Sequence, residues 1–262
     1  MSCYRYFQEA PCVLRLDDGN MSSFYLVKGE KSAMLVDTGM GKEPLLDYVR
    51  TLTELPITVV ITHGHGDHVM HAGEFDTVYM SAEDVPYLSG ACARLGIREP
   101  IDASRFLPLN DGQRLEVGDF TLHCVNVGGH SPGSVVLYEE KHHLLFTGDA
   151  VGSGVGVWLQ LTGCLPLSRY RENLKRLSDF WATLPEDTQV FTGHWEQRFM
   201  HPDGDNPVCR TLVEDMVALC DDGLQGKEDR REAPEMMARE YRPVYTASHG
   251  RASMVYCERV IK

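Results

Sequence analysis

Four ionisable side chains stand within six consecutive residues of this 262-residue chain, in the stretch His63-Gly64-His65-Gly66-Asp67-His68. The preceding run Ile57–Ile61 consists of β-branched residues, which predicts a buried strand that ends at this cluster. Three imidazoles and a carboxylate are costly to bury unless something binds them. On extended backbone His63 and His65 point the same way, and a helix that begins at Asp67 turns Asp67 and His68 toward a neighbouring position. The segment therefore predicts two adjacent metal sites.

Three further residues of metal-binding type each follow a glycine just beyond a predicted strand. They are His130, Asp149 and His194. A strand brings each side chain to the edge of a sheet, and the glycine gives close access to it. We expect these three residues to join the first cluster in one site.

Short β-rich runs alternate with helical patterns along the chain, which predicts a layered α/β architecture with two sheets. Strands are predicted at Val13–Leu16, Phe24–Val27, Ala33–Val36, Ile57–Ile61, Val78–Met80, Arg114–Val117, Phe120–Val125, Ser134–Tyr138, Leu144–Thr147, Gln189–Phe191 and Met254–Glu258. Helices are predicted at Lys42–Leu55, Ala82–Leu95, Ser168–Thr183 and Pro207–Leu224. The charge-rich stretch Gly226–Pro234 is interpreted as a solvated loop.

The chain carries a formal net charge of -13 at pH 7. Such a surface repels phosphate backbones and anionic lipids, and no basic run is interleaved with aromatic residues, so we expect neither a nucleic-acid nor a membrane partner. The N-terminal residues lack the apolar stretch of a secretory signal, and no segment approaches the ~18 apolar residues of a membrane span. We therefore expect the protein in the cytoplasm.

The order of these residues resembles the metallo-β-lactamase superfamily. The pattern His63-x-His65-x-Asp67-His68, followed by His130, Asp149 and His194, is similar to the metal-binding motifs of that family, and Asp37-Thr38-Gly39 is similar to its first motif. The resemblance runs from about Phe24 to His194. It implies a four-layer αβ/βα sandwich in which residues 1–262 form a single domain, with C-terminal helices and a closing strand over 195–262.

The resemblance also implies a role for each residue of the site. His63, His65 and His130 would hold one metal ion, Asp67, His68 and His194 would hold a second, and Asp149 would bridge the two. Asp37 would orient a ligand histidine. The nitrogen and oxygen donors fit two divalent ions, with zinc favoured and iron or manganese possible.

A hydrolase of small acyl compounds follows from this resemblance. A hydroxide shared by the two metal ions would attack an acyl carbon, with Asp67 as a candidate acid for the leaving group. Asp149 makes the pattern similar to the glyoxalase II and lactonase branches, which implies a small thioester, ester or lactone as substrate. The C-terminal region lacks obvious counterparts of the basic residues that bind glutathione in glyoxalase II.

Three alternatives stay open: a phosphodiesterase or nuclease of the same fold, a redox member with iron, and a member without catalytic activity. His71 and Trp158 are candidate residues of the substrate pocket, because His71 follows His68 by one helical turn and Trp158 is apolar and follows Asp149. The roles of His201 and His249, and the oligomeric state, are not predicted by the sequence.

Overall fold

The computed structural model describes residues 2–20, 22–88, 101–200 and 208–261. Seven strands form the first sheet in chain order. They are β1 (Arg5–Ala10), β2 (Val13–Asp17), β3 (Ser23–Lys28), β4 (Ala33–Val36), β5 (Ile57–Val60), β6 (Val78–Met80) and β7 (Leu107–Pro108). Strands β1 to β4 pair antiparallel and β4 to β7 pair parallel. The early meander and the buried strand before the histidine cluster are confirmed, and β1 adds an edge strand that the sequence analysis did not predict.

Five strands form the second sheet, in the order β13-β11-β10-β9-β8. They are β8 (Arg114–Val117), β9 (Phe120–Asn126), β10 (Val135–Glu139), β11 (Leu144–Gly148) and β13 (Gln189–Thr192). Val117 pairs with Phe120, so a two-residue turn joins β8 to β9. Its first residue, Gly118, has a φ of 58°, a conformation that glycine adopts without the strain imposed by a side chain. All the strands predicted for this region are confirmed.

A third sheet corrects the prediction of two sheets. It has the order β12-β16-β15-β14. Its strands are β12 (Val157–Leu159), β16 (Ala252–Cys257), β15 (Val244–His249) and β14 (Arg231–Glu232). The sequence analysis did not predict β12, which pairs with a segment almost a hundred residues further along the chain and so has no nearby hairpin partner to indicate it. The predicted loop Gly226–Pro234 contains β14.

Four α-helices lie within the described ranges: α1 (Leu45–Leu52), α2 (Gly66–Val69), α3 (Leu167–Trp181) and α4 (Arg210–Gln225). Helix α1 is shorter than the predicted Lys42–Leu55, because Pro44 precedes it and Thr53 is extended. Helix α4 ends at Gly226, which has a left-handed φ of 64°. Of the predicted helix Ala82–Leu95, the described part contains a 3-10 turn at Val85–Tyr87 and Leu88 in α-helical conformation, and residues 89–95 lie outside the described ranges.

Alternating side chains of the strands divide the core into three apolar layers. In β4, Met34 and Val36 face the second sheet, while Leu35 faces α1, where it packs in one cluster with Leu45 and Val49. In β10, Val135 and Leu137 face the first sheet, while Val136 and Tyr138 belong to the cluster of α3, α4 and the third sheet. This order of helix, sheet, sheet and helix is the predicted αβ/βα sandwich.

The parallel strands of both sheets end at the same side of the sandwich. Asp37 follows β4, His63 follows β5 after two residues, Asp149 follows β11 and His194 follows β13 after Gly193. Backbone hydrogen bonds join the sheets at this side, from Val135 N to Thr62 O at 2.9 Å and from Ser23 N to Gly193 O at 2.7 Å. Among the described residues, no helix combines the length and the apolar composition needed to cross a membrane.

Candidate metal centre

Seven side chains from separate strand ends converge between the two sheets. Their nitrogen and oxygen atoms form three groups in which all ligand atoms lie within 4.8 Å of one another. The groups are His63 with His65 and His130, His63 with His68 and Asp149, and Asp67 with His68 and His194. The structure thus brings together all seven residues that the sequence analysis singled out for metal binding. We name the first the three-histidine group and the last the mixed group.

Asp149 stands between these two groups. Its Oδ2 lies 3.0 Å from His194 Nε2 and 3.6 Å from His130 Nε2, while its Oδ1 lies 3.7 Å from His68 Nε2. One carboxylate therefore reaches imidazoles of both the three-histidine and the mixed group. Asp67 belongs to the mixed group alone, with Oδ2 3.6 Å from His68 Nε2 and 3.7 Å from His194 Nε2.

Several of these polar atoms are buried without a hydrogen-bond partner among the described residues. They are the Nε2 atoms of His63, His68 and His130 and the Oδ1 atom of Asp149. An unsatisfied buried polar atom costs about 1–3 kcal/mol, and here four of them belong to the adjacent ligand groups. A divalent cation accepts lone pairs from imidazole nitrogens and carboxylate oxygens at once, so the donor set fits such an ion.

The far side of each ring is fixed by a hydrogen bond that turns Nε2 toward the centre. His130 Nδ1 donates to the carbonyl of Trp158 at 2.7 Å, and His68 Nδ1 donates to Asp37 Oδ2 at 2.9 Å. His63 Nδ1 lies 3.2 Å from Thr62 Oγ1. A histidine that donates from Nδ1 keeps the lone pair of Nε2 free for a metal ion, so these bonds select the metal-binding tautomer.

Asp37 is tied down by the same network. Its carboxylate accepts hydrogen bonds from Thr62 N and Thr62 Oγ1, both at 2.7 Å, in addition to the bond from His68. Its backbone has a left-handed φ of 61°, which costs free energy and persists where surrounding contacts hold it. The contacts are those expected of a residue that orients a ligand histidine.

The electrostatics of the centre are those of closely packed opposite charges. Burial alone would lower the pKa of His68, but the carboxylates of Asp67, Asp149 and Asp37 raise it to about 10. Burial, together with His68 and His65, holds the pKa of His63 well below its ordinary value. Burial would raise the pKa of Asp149, yet the imidazoles of His194 and His68 hold it well below its usual range. The carboxylates thus concentrate negative charge that a dication would neutralise.

Two residues that support the centre were not predicted from the sequence. Asp84 accepts hydrogen bonds from both loops that carry the three-histidine group. Tyr170 of α3 packs its ring against Gly129, where any side chain would overlap it, and its hydroxyl donates to the carbonyl of Ala150 at 2.6 Å. Both contacts involve backbone atoms, so no local residue pattern indicates them.

The candidate pocket residue His71 lies in a different network. Its Nδ1 contacts Glu74 Oε1 at 2.6 Å, its Nε2 donates to the carbonyl of Gly41 at 2.9 Å, and the hydroxyl of Tyr4 lies 3.2 Å from Nε2. The side chain is buried and joins the loop before α1 to the segment after α2. A contact between His71 and substrate therefore stays a prediction that these bonds do not support.

Trp158, the other candidate pocket residue, contributes its backbone to the centre through the bond from His130. Its half-buried ring lies under the guanidinium of Arg239, which is 5.4 Å from the ring centroid. Of the histidines without a predicted role, His249 is exposed and bonds Asp222 at 2.8 Å, and His201 lies outside the described ranges.

Several known proteins are similar to this chain. A family model described as the metallo-beta-lactamase superfamily matches residues 17–194. An acyl-coenzyme A thioesterase, MBLAC2 of Gallus gallus, is 30% identical over 195 residues, which are 62% of this chain and 69% of that protein. A hydroxyacylglutathione hydrolase of Xanthomonas axonopodis pv. citri is 29% identical over 169 residues, which are 64% of this chain and 58% of that protein.

A solved structure is also similar to this chain. The crystal structure of TTHA1623 in a di-iron-bound form is 30% identical, with a TM-score of 0.54, and the match covers 71% of this chain and 96% of that chain. The region matched by the family model contains Asp37 and all seven side chains of the centre. The chain therefore belongs to the metallo-β-lactamase superfamily.

Proposed function

We propose that this protein is a dinuclear metal hydrolase that cleaves a small thioester, ester or lactone. The observation that carries the proposal is the position of Asp149, whose carboxylate lies between the three-histidine group and the mixed group. His63, His65 and His130 would hold one ion, Asp67, His68 and His194 would hold the other, and Asp149 would contact both. Two such ions would supply an activated water and polarise the substrate carbonyl.

The side chains of the protein have two further tasks in this reaction. Each ligand histidine must offer the lone pair of Nε2, and the donation from Nδ1 of His68 and His130 to fixed acceptors places the proton of the neutral ring on Nδ1. The leaving group must also receive a proton. Asp67 is the candidate that would accept a proton from the attacking water and pass it to the leaving group, because its side chain is 28% exposed while that of Asp149 is 14% exposed.

A thioester is the substrate class that the relatives support most. The MBLAC2 relative is an acyl-coenzyme A thioesterase and the Xanthomonas relative is a hydroxyacylglutathione hydrolase, so both names describe acyl groups on sulfur. These names support the proposal that the chain is glyoxalase II-like and acts on a small-molecule substrate. The cytoplasmic location and the absence of nucleic-acid and membrane partners stay predictions from composition.

The metal is proposed to be zinc, since imidazole and carboxylate donors without a thiolate suit it. The di-iron form of TTHA1623 favours iron as the second candidate. Elemental analysis of the purified protein separates the two. A redox protein with iron would be coloured and would consume oxygen, whereas a hydrolase would release a thiol or an acid with no loss of oxygen.

Steady-state hydrolysis tests the proposal. Wild-type protein should bind two metal ions per chain and hydrolyse members of a panel of acyl-coenzyme A thioesters, S-lactoylglutathione and simple lactones. Variant Asp67→Ala should lose turnover, while His249→Ala, which removes a histidine outside the centre, should retain it. Wild-type protein that is inert toward the acyl panel but cleaves phosphodiesters would overturn the proposed substrate class. Protein inert toward both would overturn the proposed activity.

A further inference from the structure

Asp84 is a buried carboxylate that three donors satisfy. Its Oδ2 accepts from Gly64 N and from Ser131 Oγ, both at 2.7 Å, and its Oδ1 accepts from Gly133 N at 2.6 Å. Its exposed fraction is 0%. The residue comes from the segment after β6 and is not among the residues that converge on the metal centre.

The three donors belong to the two loops that carry the three-histidine group. Gly64 stands between His63 and His65, and Ser131 follows His130 directly. Every histidine of this group is therefore adjacent in the chain to a residue that donates to Asp84. The mixed group has no such link, because the donors to Asp84 are not adjacent to Asp67, His68 or His194.

The fit around Asp84 is close as well as polar. A Cβ atom on Gly64 would lie 2.9 Å from Asp84 Cβ, and one on Gly133 would lie 2.8 Å from Asp84 Cγ. Glycine at both positions lets the carboxylate reach the backbone N–H groups. The two loops come from different sheets, so a carboxylate bound to both sets the distance between them.

That distance decides whether three imidazoles reach one ion. The ring centroid of His130 lies 5.0 Å from that of His63 and 4.5 Å from that of His65. Metal–ligand distances tolerate only about 0.2 Å of error, so a small separation of the loops removes His130 from the coordination sphere.

We propose that Asp84 is a positioning residue that selectively sets the metal affinity of the three-histidine group. The proposal rests on the dinuclear centre proposed above and adds that the two metal sites are supported independently. Asp37 gives the contrast, because it bonds His68 of the mixed group directly, whereas it reaches His63 only through Thr62.

The variant Asp84→Asn tests this with little change of shape. Asparagine keeps one acceptor oxygen and replaces the other with an NH2 group, so at least one of the three bonds is lost. One of the two metal ions should bind about 10- to 100-fold more weakly, while the affinity for the other stays at the wild-type value. Competition with a chromophoric chelator measures both. Ser131→Ala removes a single bond and should weaken the same ion by a smaller factor.

Combination with ligand variants identifies the affected site. In a His194→Ala background, where the three-histidine group is the intact one, Asp84→Asn should abolish most of the remaining metal binding. In a His130→Ala background, Asp84→Asn should change metal affinity little, because the three-histidine group already lacks one of its ligands. Asp187→Asn, which alters an exposed aspartate bonded to His143, serves as the control and should bind both ions as wild type does.

The outcomes that would contradict the role of Asp84 differ from those that would contradict the proposed function. Equal weakening of both ions by Asp84→Asn, or the same effect in both backgrounds, would show general loss of structure and overturn the selective role. Unchanged affinity for both ions would also overturn it. Wild-type protein that binds no metal would overturn the proposed function and the role of Asp84 together, whereas the other outcomes leave the proposed function standing.

Discussion

The three-histidine group and the mixed group differ in burial and in charge. His63 and His130 are buried, and the three-histidine group consists of imidazoles that bind metal in the neutral form. The side chains of Asp67 and His194 are 28% and 15% exposed, and the mixed group carries the carboxylate of Asp67. Under the proposed function, the three-histidine group would hold its ion through geometry. The mixed group, in which His68 is buried but Asp67 and His194 are partly exposed, would hold its ion through charge and face incoming substrate.

Replacement of Asp149 should have the largest effect on the two groups, because its carboxylate lies beside both of them. Asp149→Ala removes the shared ligand and should abolish binding of both ions. Activity on the best thioester should fall by roughly 1,000-fold or more, since metal ions contribute several kcal/mol to stabilising the transition state. Elemental analysis and kcat/KM measure the two effects. A variant that keeps two ions per chain would contradict the shared role of Asp149.

Separate ligand variants sharpen the comparison. His130→Ala should remove the ion of the three-histidine group and His194→Ala that of the mixed group, each leaving about one ion per chain. Both should lower kcat/KM by about 100-fold or more, because one ion cannot supply what two supply. Metal content and kinetics of the two variants should be compared with those of His249→Ala. Loss of both ions from either variant would mean that the two sites are not separable.

Asp37→Asn should have an intermediate effect on the mixed group. The asparagine loses an acceptor that His68 Nδ1 or Thr62 now uses, so His68 is held less firmly. Loss of such a supporting hydrogen bond costs about 10- to 100-fold in metal affinity or activity. Chelator competition should show the weakening in one ion. Weakening confined to the ion that Asp84→Asn affects would contradict the assignment of Asp37 and Asp84 to opposite sides.

Tyr170→Phe should have the smallest effect. The change leaves the carbonyl of Ala150 without the hydroxyl that now donates to it, and an unsatisfied buried acceptor costs about 1–3 kcal/mol in the free energy of unfolding. The ring still packs against Gly129, so metal content should stay at two ions. Denaturant unfolding measures the loss of stability. Loss of a metal ion from this variant would show that the hydroxyl, and not the ring, positions the loop.

The sequence predicted the strands and helices whose apolar pattern is visible within the element itself. The strands β2 to β5 and β8 to β11 and the helix α3 were predicted within a few residues, because each is long enough to show its apolar pattern. The closing strand Met254–Glu258 is confirmed as β16, but the third sheet was missed, since β12, β14 and β15 were not predicted and β12 is distant from β16 in the chain. The single domain stays a prediction; one apolar cluster contains Val136, Tyr170 and Met254, which come from both parts of the chain.

The residues of the site also fall into those that the sequence predicted and those that it did not. The seven candidate ligands were predicted because their residue types are rare in a core and each stands at a strand end. Asp84 and Tyr170 could not be predicted, because their partners are backbone groups of Gly64, Gly133 and Ala150 that only the folded chain brings near. His71 lies three residues after His68 in the sequence, but its hydrogen bonds to Glu74 and Gly41 belong to a different network.

Anomalous X-ray diffraction from crystals of the purified protein tests the central claim most directly. The account predicts two metal peaks about 3.5–4 Å apart, one near Nε2 of His63 and His130, the other near Nε2 of His68 and His194, with Asp149 in contact with both. A single peak, or peaks away from these atoms, would contradict a dinuclear centre at this side of the sandwich.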